Sequence, residues 1–305
     1  METVRQGKAA MLKTGEIRVR DPFVVLHGDT YYLYATTGET VCSCYKSRDL
    51  ENWEEGGVVF EIPKDFWAYK DVWAGEVHRY NGKFYLFVSL LGKNGLRGTQ
   101  VAVADQPEGP FVPLTDRAVT PAGQSCIDGT LYVENGVPYV VDSHDWPDHY
   151  VPEKDAYVGE ICAARLTPDL KAIDGEPKVL FDSDEAPISE KTPHHIEHNG
   201  KICVRYGSDG PFLRRFEDGR LVLIWSPYLE NNYVVLGAVS ESGSVAGPWR
   251  HMERPVFDRN GGHAMLFTDR DGVLMMALHA PERFGDERAE FYPVAFKEGQ
   301  LRLVP

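Results

Sequence analysis

A hairpin unit that returns five times constrains the fold of this chain more than any other feature. Each copy runs from a polar residue through an apolar stretch and a glycine-bearing turn into a strongly apolar strand: Asp21 to Thr36, Glu76 to Phe87, Asp128 to Val141, Asp209 to Trp225 and His263 to Leu278. The turn glycines are Gly28, Gly82, Gly136, Gly219 and Gly272, at intervals of 54, 54, 83 and 53 residues. Asn-Gly and Asp-Gly at these turns are hairpin dipeptides, since both central positions of a type I′ turn need positive φ. A period near fifty residues built from strands is a propeller signature. The long interval predicts an insertion, within 142–200, rather than a lost repeat.

Between hairpins come a third strand and a weaker fourth. Examples are Val41 to Lys46 followed by Ser47 to Trp53, Glu160 to Leu166 followed by Thr167 to Leu170, and Val234 to Val239 followed by Gly247 to Trp249; Thr99 to Ala104 is the third strand of the second unit. Four strands in each of five repeats predict an all-β fold. The expected architecture is a five-bladed β-propeller of antiparallel blades around a central channel, a single domain over 1–305. Near-continuous apolar second strands fit sheets covered on both faces by neighbouring blades.

The first strand of each blade lines the axis, so Asp21, Glu76, Asp128, Asp209 and His263 are expected to converge at one end of the channel. One Asp-Pro such as Asp21-Pro22 reads as a turn cap. Five ionisable residues at five corresponding places read as a site, because burying like charges together raises their pKa values.

Charge and cysteine usage bound the partners. A formal charge of −14 argues against nucleic acid and anionic membranes and for a neutral small molecule. The stretch Met1–Arg20 has scattered charges and no long apolar block. Cysteines 42, 44, 126, 162 and 203 are odd in number and lack metal spacing, so reduced thiols and a cytoplasmic address are expected.

At these residues the chain resembles the inverting glycosidases of glycoside hydrolase family 43. The resemblance is carried by Arg20-Asp21-Pro22, Trp73-Ala74-Gly75-Glu76-Val77-His78, Ile127-Asp128-Gly129, Asp209-Gly210-Pro211-Phe212 and Gly262-His263, in the family's order along nearly the whole chain. It implies Asp21 as general base, Asp128 as the carboxylate that tunes the acid, and Asp209 as proton donor, where the family usually has a glutamate. His263 matches a histidine that in many members faces a calcium ion in the central channel, and no organic cofactor is implied. The activity implied is hydrolysis of short oligosaccharides with inversion, first an exo-acting α-L-arabinofuranosidase or β-xylosidase. The alternatives are a relative acting on a fructan or galactan, and a catalytically impaired sugar-binding propeller.

Other residues are candidates for the sugar pocket. Trp67, Trp73 and Trp146 offer flat rings for sugar C–H faces, and Glu76, His144 and Asp145 offer polar anchors. Asp145 is also a spare acid. Arg288 is placed to reach back over the pocket from the last blade.

Overall fold

The computed structural model describes residues 11–191, 193–198 and 200–304. Met1 to Ala10, half of the Met1–Arg20 stretch considered above, lie outside the described residues, as does Pro305. Five antiparallel blades carry the fold. Their strands are Arg20–His27, Thr30–Thr36, Val41–Ser47 and Asn52–Glu61 in blade one, with Leu12–Lys13 added at its outer edge. Blade two is Ala68–Tyr80, Lys83–Gly92, Arg97–Ala104 and Val112–Pro113; blade three is Cys126–Glu134, Val137–His144, Glu160–Arg165 and Lys178–Asp182. Blade four is Asp209–Arg215, Leu221–Ser226, Leu236–Ser240 and Trp249–His251; blade five is Gly262–Thr268, Leu274–Ala280, Arg288–Lys297 and Gln300–Leu303. The five first strands touch one another in a closed ring, one to two through five and back to one. That ring makes the molecule a five-bladed β-propeller.

The hairpin turns form as their sequence dictates. Each of the five turn glycines has φ between +59° and +86°, and Asn81 and Asn135 join Gly82 and Gly136 in the left-handed region. The second strands are buried on both faces: Leu221 to Ser226 lies wholly inside, as does Tyr31 to Ala35. Apolar clusters fill the wedges between blades, and the largest joins blades one, two and five. Blades one and five come from opposite ends of the chain. Their seam is closed by side chains, including Arg20 against Glu282 at 2.7 Å.

The fourth strand of blade three differs from expectation. Thr167 to Leu170 is a turn, held by Leu170 N–H on the Thr167 carbonyl and by the Thr167 hydroxyl on Asp169, and the strand begins at Lys178. Ser47 to Leu50 forms the matching turn in blade one, and both turns put a leucine at positive φ. The apolar residue that suggested a strand is in each case a turn residue folded inward.

The extra chain is split in two. One part, between the second and third strands of blade three, carries Tyr150–Val151 and Ala156–Val158; the other, between blades three and four, carries Pro187–Lys191, His194–His198 and Lys201–Tyr206. The two parts combine in one small sheet, in which Ala156–Val158 runs parallel to Lys201–Tyr206. The segment therefore continues to Tyr206, past 200, because its last strand pairs with both other parts of that sheet.

Candidate active site

A bulge recurs on the first strand of every blade. The ladder slips between Arg20 and Phe23, Trp73 and Glu76, Ile127 and Thr130, Asp209 and Phe212, and Gly262 and Met265. The second residue of each bulge is left-handed: Asp21 at +55°, Ala74 at +47°, Asp128 at +56°, Gly210 at +57° and His263 at +52°. A bulge bends the strand and re-aims its side chains, and here it does so five times at one end of the channel.

Each bulge is tied to the blade before it. The residue paired with the bulge's first position on the second strand is Thr36, Ser89, Ser143, Ser226 or His279. Four of these reach the next blade's left-handed residue or its neighbour. Thr36 Oγ1 accepts from Ala74 N–H at 2.8 Å, Ser89 Oγ from Asp128 N–H at 2.8 Å, and Ser226 Oγ from His263 N–H at 2.8 Å. Blade five closes the ring with an imidazole: His279 Nδ1 accepts from Asp21 N–H at 3.1 Å. That bond leaves the His279 proton on Nε2, where it is donated to Glu282 at 2.6 Å. Between blades three and four the pattern changes. Ser143 pairs with Ser208 at 2.5 Å, and Gly210 N–H donates to the Asp128 carboxylate at 3.0 Å.

The bulges correct the expected equivalence of the five polar residues. Asp21, Asp128 and His263 do hold the same place, but Asp209 stands one residue earlier and Glu76 two later. In blade four the left-handed place must be glycine, since a Cβ on Gly210 would lie 2.9 Å from His263 Cγ. The carboxylate is thereby displaced to the preceding residue.

A cavity of about 500 Å³ opens over this ring, lined by Asp21, Asp128, Asp145, Asp209, His263, Trp73 and Trp146 among the residues expected there. Glu76, Trp67, His144 and Arg288 do not line it. Glu76 is buried with its carboxylate 3.0 Å from His78 Nε2. His144 has a carboxylate at each nitrogen, Glu160 at 2.5 Å and Asp148 at 3.0 Å. Arg288 is spent on the carbonyls of Gly15, Gly285 and Glu287. Trp67 faces a different cavity. The pocket also gains Arg20, Thr36, Arg97, Arg205 and Tyr228, which sequence reasoning did not assign to it. Arg20 stood inside a quoted motif and was the one with a signal.

Electrostatics divides the pocket. Burial pushes the Asp21 carboxyl up, but His263, Arg20 and His279 outweigh it and hold Asp21 below the usual carboxylate range. His263 Nδ1 lies 3.2 Å from Asp21 and 3.9 Å from Asp128. Burial works against its charge, yet Asp21, Asp128, Glu76 and Asp209 raise its pKa. Across the pocket burial dominates. It pushes Asp128 up to about 7, reinforced by Asp209 and Asp21 against His263. Asp145 rises to about 7 through burial, Asp209 and Asp128. Asp209 rises as well, burial winning over Arg205, His263 and Arg20; its Oδ2 accepts from the Tyr233 hydroxyl at 3.3 Å. One carboxylate is kept ionised and three are kept ready to hold protons.

The His263 ring faces two carboxylates directly, and a calcium ion in the channel would be held by oxygen ligands, waters among them, with His263 at its edge. Among the described residues the group of donor atoms that comes close enough together to hold a metal is that of His144, His149 and Glu160, within 4.8 Å of one another.

Comparison with known proteins is consistent along the chain. A family model described as glycosyl hydrolases family 43 matches residues 14–294. A beta-xylosidase of Xylanibacter ruminicola is 28% identical over 177 residues, 52% of this chain and 56% of that protein. A xylosidase/arabinosidase of Bacteroides ovatus is 27% identical over 199 residues, 57% of this chain and 61% of that protein. The alignments thus span little more than half the length of these curated relatives. A crystal structure described as an endo-arabinase from Bacteroides thetaiotaomicron VPI-5482 superposes with a TM-score of 0.86 at 36% identity, covering 95% of this chain and 98% of that one.

Proposed function

The chain belongs to glycosyl hydrolases family 43, and from that premise we propose that it hydrolyses arabinose- or xylose-containing oligosaccharides with inversion at the anomeric carbon. The carrying observation is the split of the pocket: Asp21 is held below its ordinary pKa while Asp209, lining the same cavity, is held above its own. Two carboxyls pushed in opposite directions are the requirement for a base and an acid working at one pH. Asp21 takes the proton of the attacking water. Asp209 gives its proton to the departing glycosidic oxygen; burial, foremost, keeps that proton on, and Asp128, bonded to Gly210 N–H, stands beside it to orient the acid. Trp73 and Trp146 supply the flat walls.

Exo-release from chain ends, as an α-L-arabinofuranosidase or β-xylosidase, is the first reading, in keeping with the relatives described as a beta-xylosidase and a xylosidase/arabinosidase. The neighbour described as an endo-arabinase favours a second, internal cleavage of arabinan. A panel of nitrophenyl arabinofuranosides, xylosides and galactosides, together with linear arabino- and xylo-oligosaccharides, separates them by product length. Proton NMR of the first anomer released checks inversion. A retained anomer removes the mechanism, and no release from any substrate favours a sugar-binding propeller.

We further take the His263 imidazolium to be the channel's cation. Exhaustive chelation should leave melting and rate unchanged; loss of either, with calcium found by elemental analysis, would reinstate the ion. A cytoplasmic address is supported by five unpaired cysteines, four of them buried, and is tested by fractionation of the source cells.

A further inference from the structure

A second cavity, of about 560 Å³, lies beside the first, and Arg97 lines both. Its wall holds Lys93, Arg97, Arg117 and Lys171 and no carboxylate. In a chain with 46 acidic and 32 basic residues this is a local inversion of charge. Two of the cations are already partnered: Arg97 donates to Asp71 at 2.7 Å, and Lys171 lies 3.6 Å from Asp169. Lys93 and Arg117 are exposed, and among the described residues neither has a carboxylate within 4.0 Å.

Beside these cations sits a fixed aromatic ring. Trp67 Nε1 donates to Gln100 Oε1 at 2.8 Å. The ring is seated against two glycines, where a Cβ on Gly92 would stand 3.1 Å from it and one on Gly98 3.5 Å. A pinned indole suits the C–H face of a sugar, and two unpaired cations suit a carboxylate. The shared wall at Arg97 makes the cavity reachable by the same ligand that fills the catalytic pocket.

We propose that this cavity is a subsite for a uronic acid residue, so that the favoured substrates are arabino- or xylo-oligosaccharides bearing a uronate. It rests on the glycosidase reading above: the neutral end enters the catalytic pocket, and the uronate carboxylate sits against Lys93 and Arg117 with its ring on Trp67.

The test compares two xylo-oligosaccharides of equal length, one carrying a glucuronic acid branch, as substrates and, by calorimetry, as ligands. The acidic partner should be favoured about tenfold, through KM, as two screened ion pairs would give. The preference should shrink at about 0.5 M salt and fall to none in the double variant Lys93→Glu, Arg117→Glu, whose exposed positions tolerate the change. Trp67→Ala should weaken binding of the acidic partner without removing its salt dependence. Equal binding of the two sugars by the unaltered protein, or a preference that survives the double variant, overturns the subsite. Calorimetry reads it even if no glycoside is cleaved, so failure of the subsite and failure of the glycosidase reading are told apart.

Discussion

The two sides of the pocket are built from the same residue type by opposite means. Where blades five and one meet, Asp21 is enclosed by His263, Arg20 and His279, and that shell is anchored in turn: Glu282 takes both Arg20 and His279, which with burial opposing hold its own carboxyl down to about 2. Where blades three and four meet, Asp128, Asp145 and Asp209 crowd together, and burial outweighs the balancing charges of His263, Arg205 and Arg97. The first side stabilises a charge and the second resists it. The difference originates in one glycine. His263 occupies the space where blade four's left-handed side chain would go, so blade four carries Gly210, its acid moves back to Asp209, and the Gly210 N–H goes to Asp128.

The largest test falls on the ionised side. Asp21→Asn keeps volume and removes charge, and should lower kcat by about 10²–10⁴ with sugar binding retained. A variant that keeps more than roughly a tenth of the rate would make Asp21 structural.

A smaller and more selective loss is expected across the pocket. A donor matters least when the leaving group already departs easily, so Asp209→Asn should depress hydrolysis of an unactivated disaccharide by roughly 10² while sparing a nitrophenyl glycoside. Asp145→Asn should depress both mildly. If Asp145→Asn alone shows the selective pattern, the acid belongs to the segment after blade three's second strand, and Asp209 is the residue that tunes it.

How far this pocket was legible from sequence follows from the bulges. The turn glycines announce the five repeats because a positive φ leaves a mark in residue type. Asp21, Asp128 and His263 are legible because each is the polar residue that opens its repeat, one place after the residue that pairs with the second strand. Asp209 and Glu76 were read into the same ring because a bulge position at non-glycine residues leaves no such mark: alanine at 74 and aspartate at 21 share a conformation that neither favours. Arg97 and Arg205 had no local signal at all. One sits at the start of a third strand and the other on the inserted sheet, and only the closed ring brings them to the cavity.

The role assigned to Gly210 is separable from simple backbone preference. Gly28 has φ +59° with nothing within 4 Å of where a Cβ would stand, whereas Gly210 has φ +57° with the His263 ring at 2.9 Å. Gly28→Ala should cost about 1 kcal/mol from conformation alone. Gly210→Ala should cost about 2–3 kcal/mol, adding overpacking against the ring, and should shift the pH profile of the rate as His263 is pushed from Asp21. Equal losses of stability in the two variants would mean that His263 yields freely and does not dictate the geometry of blade four.

The smallest effect expected is also the most direct reading of the resisting side. Asp145 and Asp128 have pKa values raised to about 7, so between their unfolded and folded values the native state binds more protons than the unfolded chain. Their stabilising contribution is complete below about pH 4 and is lost as pH rises through about 7. Asp21, held low, does the reverse: its contribution is present above its unfolded value and is lost only as pH falls further. Asp145→Asn removes one of the two descending limbs. Its melting temperature should match that of the unaltered protein near pH 4 and exceed it at pH 8 by a few degrees, on the order of 2 kcal/mol. A gain in stability on removing a charged group from a pocket is what a site organised for proton transfer predicts, because the strain on that carboxylate serves chemistry rather than folding. Superimposable melting curves from pH 4 to 8 would show that Asp145 ionises without cost, and the contrast between the two sides would then rest on Asp128 and Asp209 alone.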